Sequence, residues 1–236
     1  MIRNCTLDEI SDGKLYSEND MVKADTNNCN GCRSVCCHGM GSTIILDPYD
    51  VYRLTTGLNV SFSELLADRV ELNVVDGIIL PNLKMNAAEN QCAFLSNEQR
   101  CTIHGYRPGI CRLFPLGRYW ESADSFKYIL QKEQCHKDNL SKIKVRKWLD
   151  VKEIDIYNRF IIKWHMYIKK IEAAVSQINV KAAKEPDFAG TAATQVKTIC
   201  MYTIKVFFTT PYDSNISFYD QFYARLDTAV KALGMD

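Results

Sequence analysis

The chain has 236 residues, 47% of them hydrophobic and 24% charged, enough for an ordinary core in one compact domain or two small ones. Its formal net charge is +1 and no long run of Lys or Arg occurs, which argues against nucleic acid as a partner, because phosphate binding shows as a basic excess or stripe. No apolar run is long enough to span a bilayer, so no membrane partner is expected.

The opening MIRNCTLDEISDGK carries acids where a signal peptide would carry its apolar segment, and the expected location is the cytoplasm. In a reducing compartment, ten cysteines point to metal ligation or thiol chemistry rather than to structural disulfides. They first gather in CNGCRSVCCHGMG, residues 29–41. Cys29 and Cys32 have the C-x2-C spacing that brings two thiolates to one metal, Gly31 lets the backbone curl between them, and Cys36 and Cys37 add two more donors. Metal binding is the favoured reading and a thiol redox centre the other. In an extended backbone, adjacent side chains face opposite ways. Cys36 and Cys37 are therefore expected to serve different metals, or different edges of one cluster, unless the chain turns sharply. Gly39-Met40-Gly41 follows no expected strand and completes no G-x-G-x-x-G, so nucleotide binding is weakly supported.

DPYDVYRLTTGLN and SFSELLADRVEL read as two short helices capped by Asp47 and Ser61, with Pro48 at a first helical position. In CAFLSNEQRCTIHGYRPGICRLFP, Cys92, Cys101 and Cys111 extend the thiol set, with two β-like runs around the polar turn Ser96 to Gln99. Residues 99–120 hold Arg100, Arg107, Arg112 and Arg118 but no Asp, Glu or Lys. Unopposed guanidinium groups would offset the charge of ligated thiolates; pairing with distant acids is the plainer alternative. FKYILQ reads as a strand, and Cys135 follows it. From Lys147 to about Ile178, apolar residues recur at three- and four-residue steps, the pattern of an amphipathic helix. Residues 181–191, with Pro186 and Gly190, read as a break. A second helix through Val196, Cys200 and Phe207 stops before Pro211, and Ser217 with Asp220 opens a third that ends at Gly234.

The C-x2-C-x3-CC opening, C-x-F-L at Cys92, R-C-T-I-H-x-x-R-P-x-x-C-R-x-F-P ending at Pro115, and the later Cys135 together resemble the YkgJ-like cysteine-cluster family of zinc- or iron-chelating proteins. The resemblance spans about residues 26–138. It implies that Cys29, Cys32, Cys36, Cys37, Cys92, Cys101, Cys111 and Cys135 are the metal ligands, with Arg107, Pro108 and Arg112 matching its arginine-proline and cysteine-arginine positions. Cys135 stands in EQCHKDN, without the small residues expected after it. The family includes a flagellin lysine N-methylase, which makes an S-adenosylmethionine-dependent enzyme a further alternative.

Eight thiols suit two four-cysteine zinc sites or one [4Fe-4S] cluster with thiols to spare. The irregular spacing, the vicinal pair and the nearby arginines favour the cluster, with zinc in an interaction module as the alternative. His38, His104 and His136 adjoin the cysteines but are secondary candidates, because thiols suffice. His165 reads as a packing or surface residue, and Cys5 and Cys200 as ordinary thiols. The expected architecture is α+β, mainly α. Residues 1–140 would form a metal-bound cysteine-rich domain with short strands, and 141–236 a helical region packed on it. A protein partner or substrate, and catalysis itself, stay open.

Overall fold

Helix caps place the first elements around the cysteines. The computed structural model describes residues 6–27, 29, 32, 34–86, 88, 90–132, 134–135 and 140–235. After α1 (Leu7–Ile10) and β1 (Met21–Asp25), α2 (Pro48–Leu58) starts as its sequence predicts. Asp47 accepts from the Asp50 N–H at 2.8 Å, and the Asp50 carboxylate accepts from the Asp47 N–H at 3.2 Å. Pro48 fits the first turn because it has no N–H to leave unpaired. Ser61 and Glu64 make the same reciprocal cap for α3 (Phe62–Asp68).

The end of that second stretch is not helix. β2 (Val70–Val75) and β3 (Ile78–Leu83) form an antiparallel hairpin that the sequence reading lacks. Its turn residues Asp76 and Gly77 both have positive φ, 49° and 87°, the left-handed geometry that matches strand twist in two-residue hairpins. The remaining strands are short: β4 (Met85–Asn86), β5 (Gln91–Cys92), β6 (Leu116–Ser122), β7 (Ser125–Leu130) and β8 (Ser141–Lys144). β4 pairs with β5, β6 with β7 and β8 with β1, all antiparallel. FKYILQ is thus a strand, as read. Of the two β-like runs around Ser96–Gln99, only β5 and an isolated bridge from Leu95 to Cys101 take strand pairing.

Among the described residues, five further α-helices follow: α4 (Gly109–Leu113), α5 (Val145–Leu149), α6 (Ile154–Lys184), α7 (Ala189–Ile204) and α8 (Phe218–Ala232). The helix expected from Lys147 is broken. Asp150 and Glu153 take positive φ, 47° and 54°, and α5 turns aside so that the Trp148 Nε1–H reaches the Leu113 carbonyl at 3.1 Å. Apolar residues on both sides of this kink keep the helical period, which is why periodicity alone does not reveal it. At its far end α6 continues to Lys184, because polar and alanine residues in its last turns keep a solvated helix going. The break is confined to a 3-10 turn at Pro186–Phe188, and Gly190 lies inside the first turn of α7. α7 runs into a π-helical turn, Lys205–Thr209, before Pro211.

The protein is α+β and mainly α. One apolar cluster connects its helices and hairpins, with Phe160, Phe207 and Phe222 fully buried. Phe160 meets the rings of Phe222 at 4.6 Å and Phe218 at 5.4 Å, and Tyr49 of α2 meets Phe218 at 5.0 Å, so aromatic packing joins α2 to α6 and α8. Cys200 is buried on α7, and its Sγ accepts from the Ile79 N–H at 3.5 Å, consistent with a small core residue. Among the described residues, no helix is long and apolar enough to cross a membrane.

His165 packs as expected: its ring stacks on Trp120 with centroids 3.6 Å apart and planes 13° apart. Burial, with Lys169 nearby, pushes its pKa from 6.5 down to about 4. The folded pKa lies below the unfolded one, so the related stability is complete above pH about 6.5 and is lost as pH falls through about 4. Tm should drop across this window, and His165→Phe, which keeps a stacked ring that cannot titrate, should flatten the drop. Equal pH slopes for the two proteins would refute this assignment.

Candidate metal centre

Three segments meet at one cavity. The first leaves β1 through Thr26. Cys29 has φ 59°, its N–H donates to Thr26 Oγ1 at 3.2 Å, and its Sγ lies 3.4 Å from the same oxygen. The Cys32 N–H closes a tight turn onto the Cys29 carbonyl at 3.1 Å, and the Ser34 N–H donates to Cys32 Sγ at 3.3 Å. Such N–H···S contacts are suited to a sulfur that carries negative charge.

Cys36 and Cys37 do not take the extended arrangement expected of adjacent residues. Ser34 adopts φ 56°, and Val35–Cys37 curl into a 3-10 turn closed by the Cys37 N–H on the Ser34 carbonyl at 2.7 Å. In so tight a turn successive side chains are about 120° apart rather than opposed. The two sulfurs lie 4.0 Å apart and both thiols line the same cavity.

The second segment brings Cys92 on β5 and Cys101 after the Ser96–Gln99 turn. It is tied to the first by Arg100, whose Nη1 donates to the Cys29 carbonyl at 2.8 Å, and by Gln99, whose Oε1 lies 2.9 Å from His38 Nε2. The third segment is the 3-10 turn His104–Tyr106 and α4, which carries Cys111. Asp50 of α2 fixes its position: its buried Oδ1 accepts from the Gly109 N–H, the first residue of α4, at 2.7 Å. Arg112 is 5% exposed and its Nη2 donates to the Arg107 carbonyl at 3.2 Å.

The cavity is lined by Cys29, Cys32, Cys36, Cys37, Cys92, Cys101 and Cys111, together with His104, Arg100 and Arg107, and holds about 40 Å³ of open space, more than one water-sized occupant needs. Cys135 is half-buried and is not among the lining residues. His38 pairs with Gln99 instead of lining the cavity, and His136 and Cys5 lie outside the described residues.

The thiols differ in acidity. The Cys37 thiol hydrogen-bonds Cys36 and Cys101 and holds each down to about 7, while its own proton is held tightly. Burial pushes Cys92 and, more strongly, Cys111 upward. The arginines divide. Arg100 and Arg107 line the cavity, whereas Arg118 donates to the Tyr157 hydroxyl at 3.1 Å and lies over the Tyr157 and Phe126 rings. Arg112 and Arg118 act on the carboxylates of half-buried Asp47 and buried Asp50, opposing the upward push of desolvation. Only half of the arginine cluster thus faces the thiols.

Sequence reasoning missed Asp50. Its place in the α2 cap explains it locally, and nothing local signals its second contact to Gly109, on a segment far along the chain. Among the described residues, no three Cys, His, Asp or Glu side chains stand in a finished metal-binding arrangement. The donors are those of a thiophilic metal: sulfur throughout, one imidazole, and two guanidinium groups to balance thiolate charge.

Residues 28–139 match the family model described as "CxxCxxCC: Putative zinc- or iron-chelating domain". No curated protein and no solved structure matches the chain at a significant level. The cysteine-bearing segment, with its thiols gathered on one cavity, is thus the part of the chain that resembles the CxxCxxCC family of zinc- or iron-chelating domains.

Proposed function

We propose that this protein binds a [4Fe-4S] cluster, with thiolate ligands drawn from the seven cysteines that line the cavity. The observation that carries this reading is a cavity lined by seven thiols with two guanidinium groups, Arg100 and Arg107, beside them and a backbone N–H on Cys32 Sγ, surroundings that suit the negative charge of an iron-sulfur cluster. A bound cluster of this kind accepts and returns one electron. The protein's own groups would set how readily. The Ser34 N–H aimed at Cys32 Sγ and the guanidinium groups of Arg100 and Arg107 at the cavity all stabilise added negative charge and so favour the reduced form.

Protein purified without oxygen is expected to be brown, with iron and acid-labile sulfide in equal amounts. A colourless preparation with stoichiometric zinc and no sulfide would overturn this reading. The zinc alternative draws on one observation, the small open space between the thiols, which suits a single ion.

A further inference from the structure

The cavity contains one donor that is not sulfur and has nothing to bond. His104 lines it beside the cysteines, and its Nε2 is buried without a hydrogen-bond partner. A buried polar nitrogen left unpaired is unfavourable, so such an atom calls for an occupant. We infer that His104, through Nε2, is a nitrogen ligand of the metal centre.

Two features support the assignment, which rests on metal binding at this cavity. The backbone around His104 is held in place: the Arg107 Nε–H donates to the His104 carbonyl at 3.1 Å, the Tyr106 N–H closes on the Ile103 carbonyl at 2.8 Å, and Arg53 holds the Gly105 carbonyl. A ligand on an anchored turn loses little freedom on binding. Finally, seven of the eight family cysteines line the cavity and the eighth, Cys135, does not, so His104 adds a donor where the thiol set ends. His38 offers no equivalent, because its Nε2 already meets Gln99.

The test uses the full chain, reconstituted anaerobically with iron and sulfide and, separately, loaded with Co2+ as a spectroscopic substitute for zinc. Pulsed EPR of the reduced iron form, or of the Co2+ form, should show the 14N coupling of a directly bound imidazole. His104→Ala should lose that coupling and bind Co2+ at least about tenfold more weakly, while His104→Cys should restore affinity and stay without 14N coupling. Wild-type protein that holds metal with no directly bound nitrogen, or a His104→Ala spectrum identical to wild type, overturns the inference and leaves the metal reading standing. Failure of both iron and cobalt to bind wild type overturns the metal reading and this inference together.

Discussion

Asp50→Ala should lose about 3 kcal/mol of stability, as expected when a buried hydrogen-bonded charge is removed from its partners, and about 10–100-fold in metal affinity, the usual cost of a supporting contact around a metal site. The carboxylate is 2% exposed and closes two N–H groups at once, Gly109 at 2.7 Å and Asp47 at 3.2 Å. Without it, both donors lose their acceptor and the positive charges of Arg112 and Arg118 lose one of the two acids near them. The loss reaches the thiols because Gly109 opens the helix that carries Cys111. Asp50→Asn keeps the shape and an oxygen acceptor, so it should retain most of the metal affinity. Urea unfolding gives the first quantity and competition with a chromogenic chelator the second. Asp50→Ala protein with wild-type values in both measurements would show that the Asp50–Gly109 contact does not position the cavity.

Phe160→Ala separates stability from the metal site. The ring is fully buried and borders Tyr49, Tyr157, Phe218, Tyr219 and Phe222. Truncation removes the ring and leaves a cavity between helices that cannot close freely, at a cost of about 3–5 kcal/mol. For a chain of this size that corresponds to a Tm lower by about 10 °C. Phe160 is not among the residues lining the thiol cavity, so metal stoichiometry should be unchanged. A variant that loses its metal while Tm falls only slightly would contradict the packing described for α6.

The contrast between these two residues shows what the sequence discloses. Phe160 lies inside the span 147–178 that reads as an amphipathic helix, and it is the repeating apolar face of that helix that the sequence discloses. Asp47, Ser61 and Ser217 announce helix starts by side-chain chemistry, and the structure has all three caps. The Asp76-Gly77 hairpin was also locally encoded, but ADRVEL before it continues the helical pattern of α3 and hides the change of period. The pairing of β1 with β8 joins residues more than a hundred positions apart and has no local signal at all. At the cavity, the cysteines are visible by type and spacing. Which of them meet depends on backbone choices such as Ser34 at φ 56°, unusual for a residue with a side chain, and on Asp50 reaching across to α4. In the sequence His104 ranks behind the plentiful thiols; its orphaned nitrogen becomes apparent only in three dimensions.

The cavity draws on positions 29 to 111, and this spread matters while the chain is being made. At synthesis rates of about 5–20 residues per second, Cys37 precedes Cys111 by several seconds. During that interval the four leading thiols exist without α4 or the Asp50–Gly109 contact that fixes it. A nascent chain therefore offers an incomplete, open thiol cluster to whatever metal or oxidant is at hand, and the shielded site comes into being only after the last segment has emerged and docked.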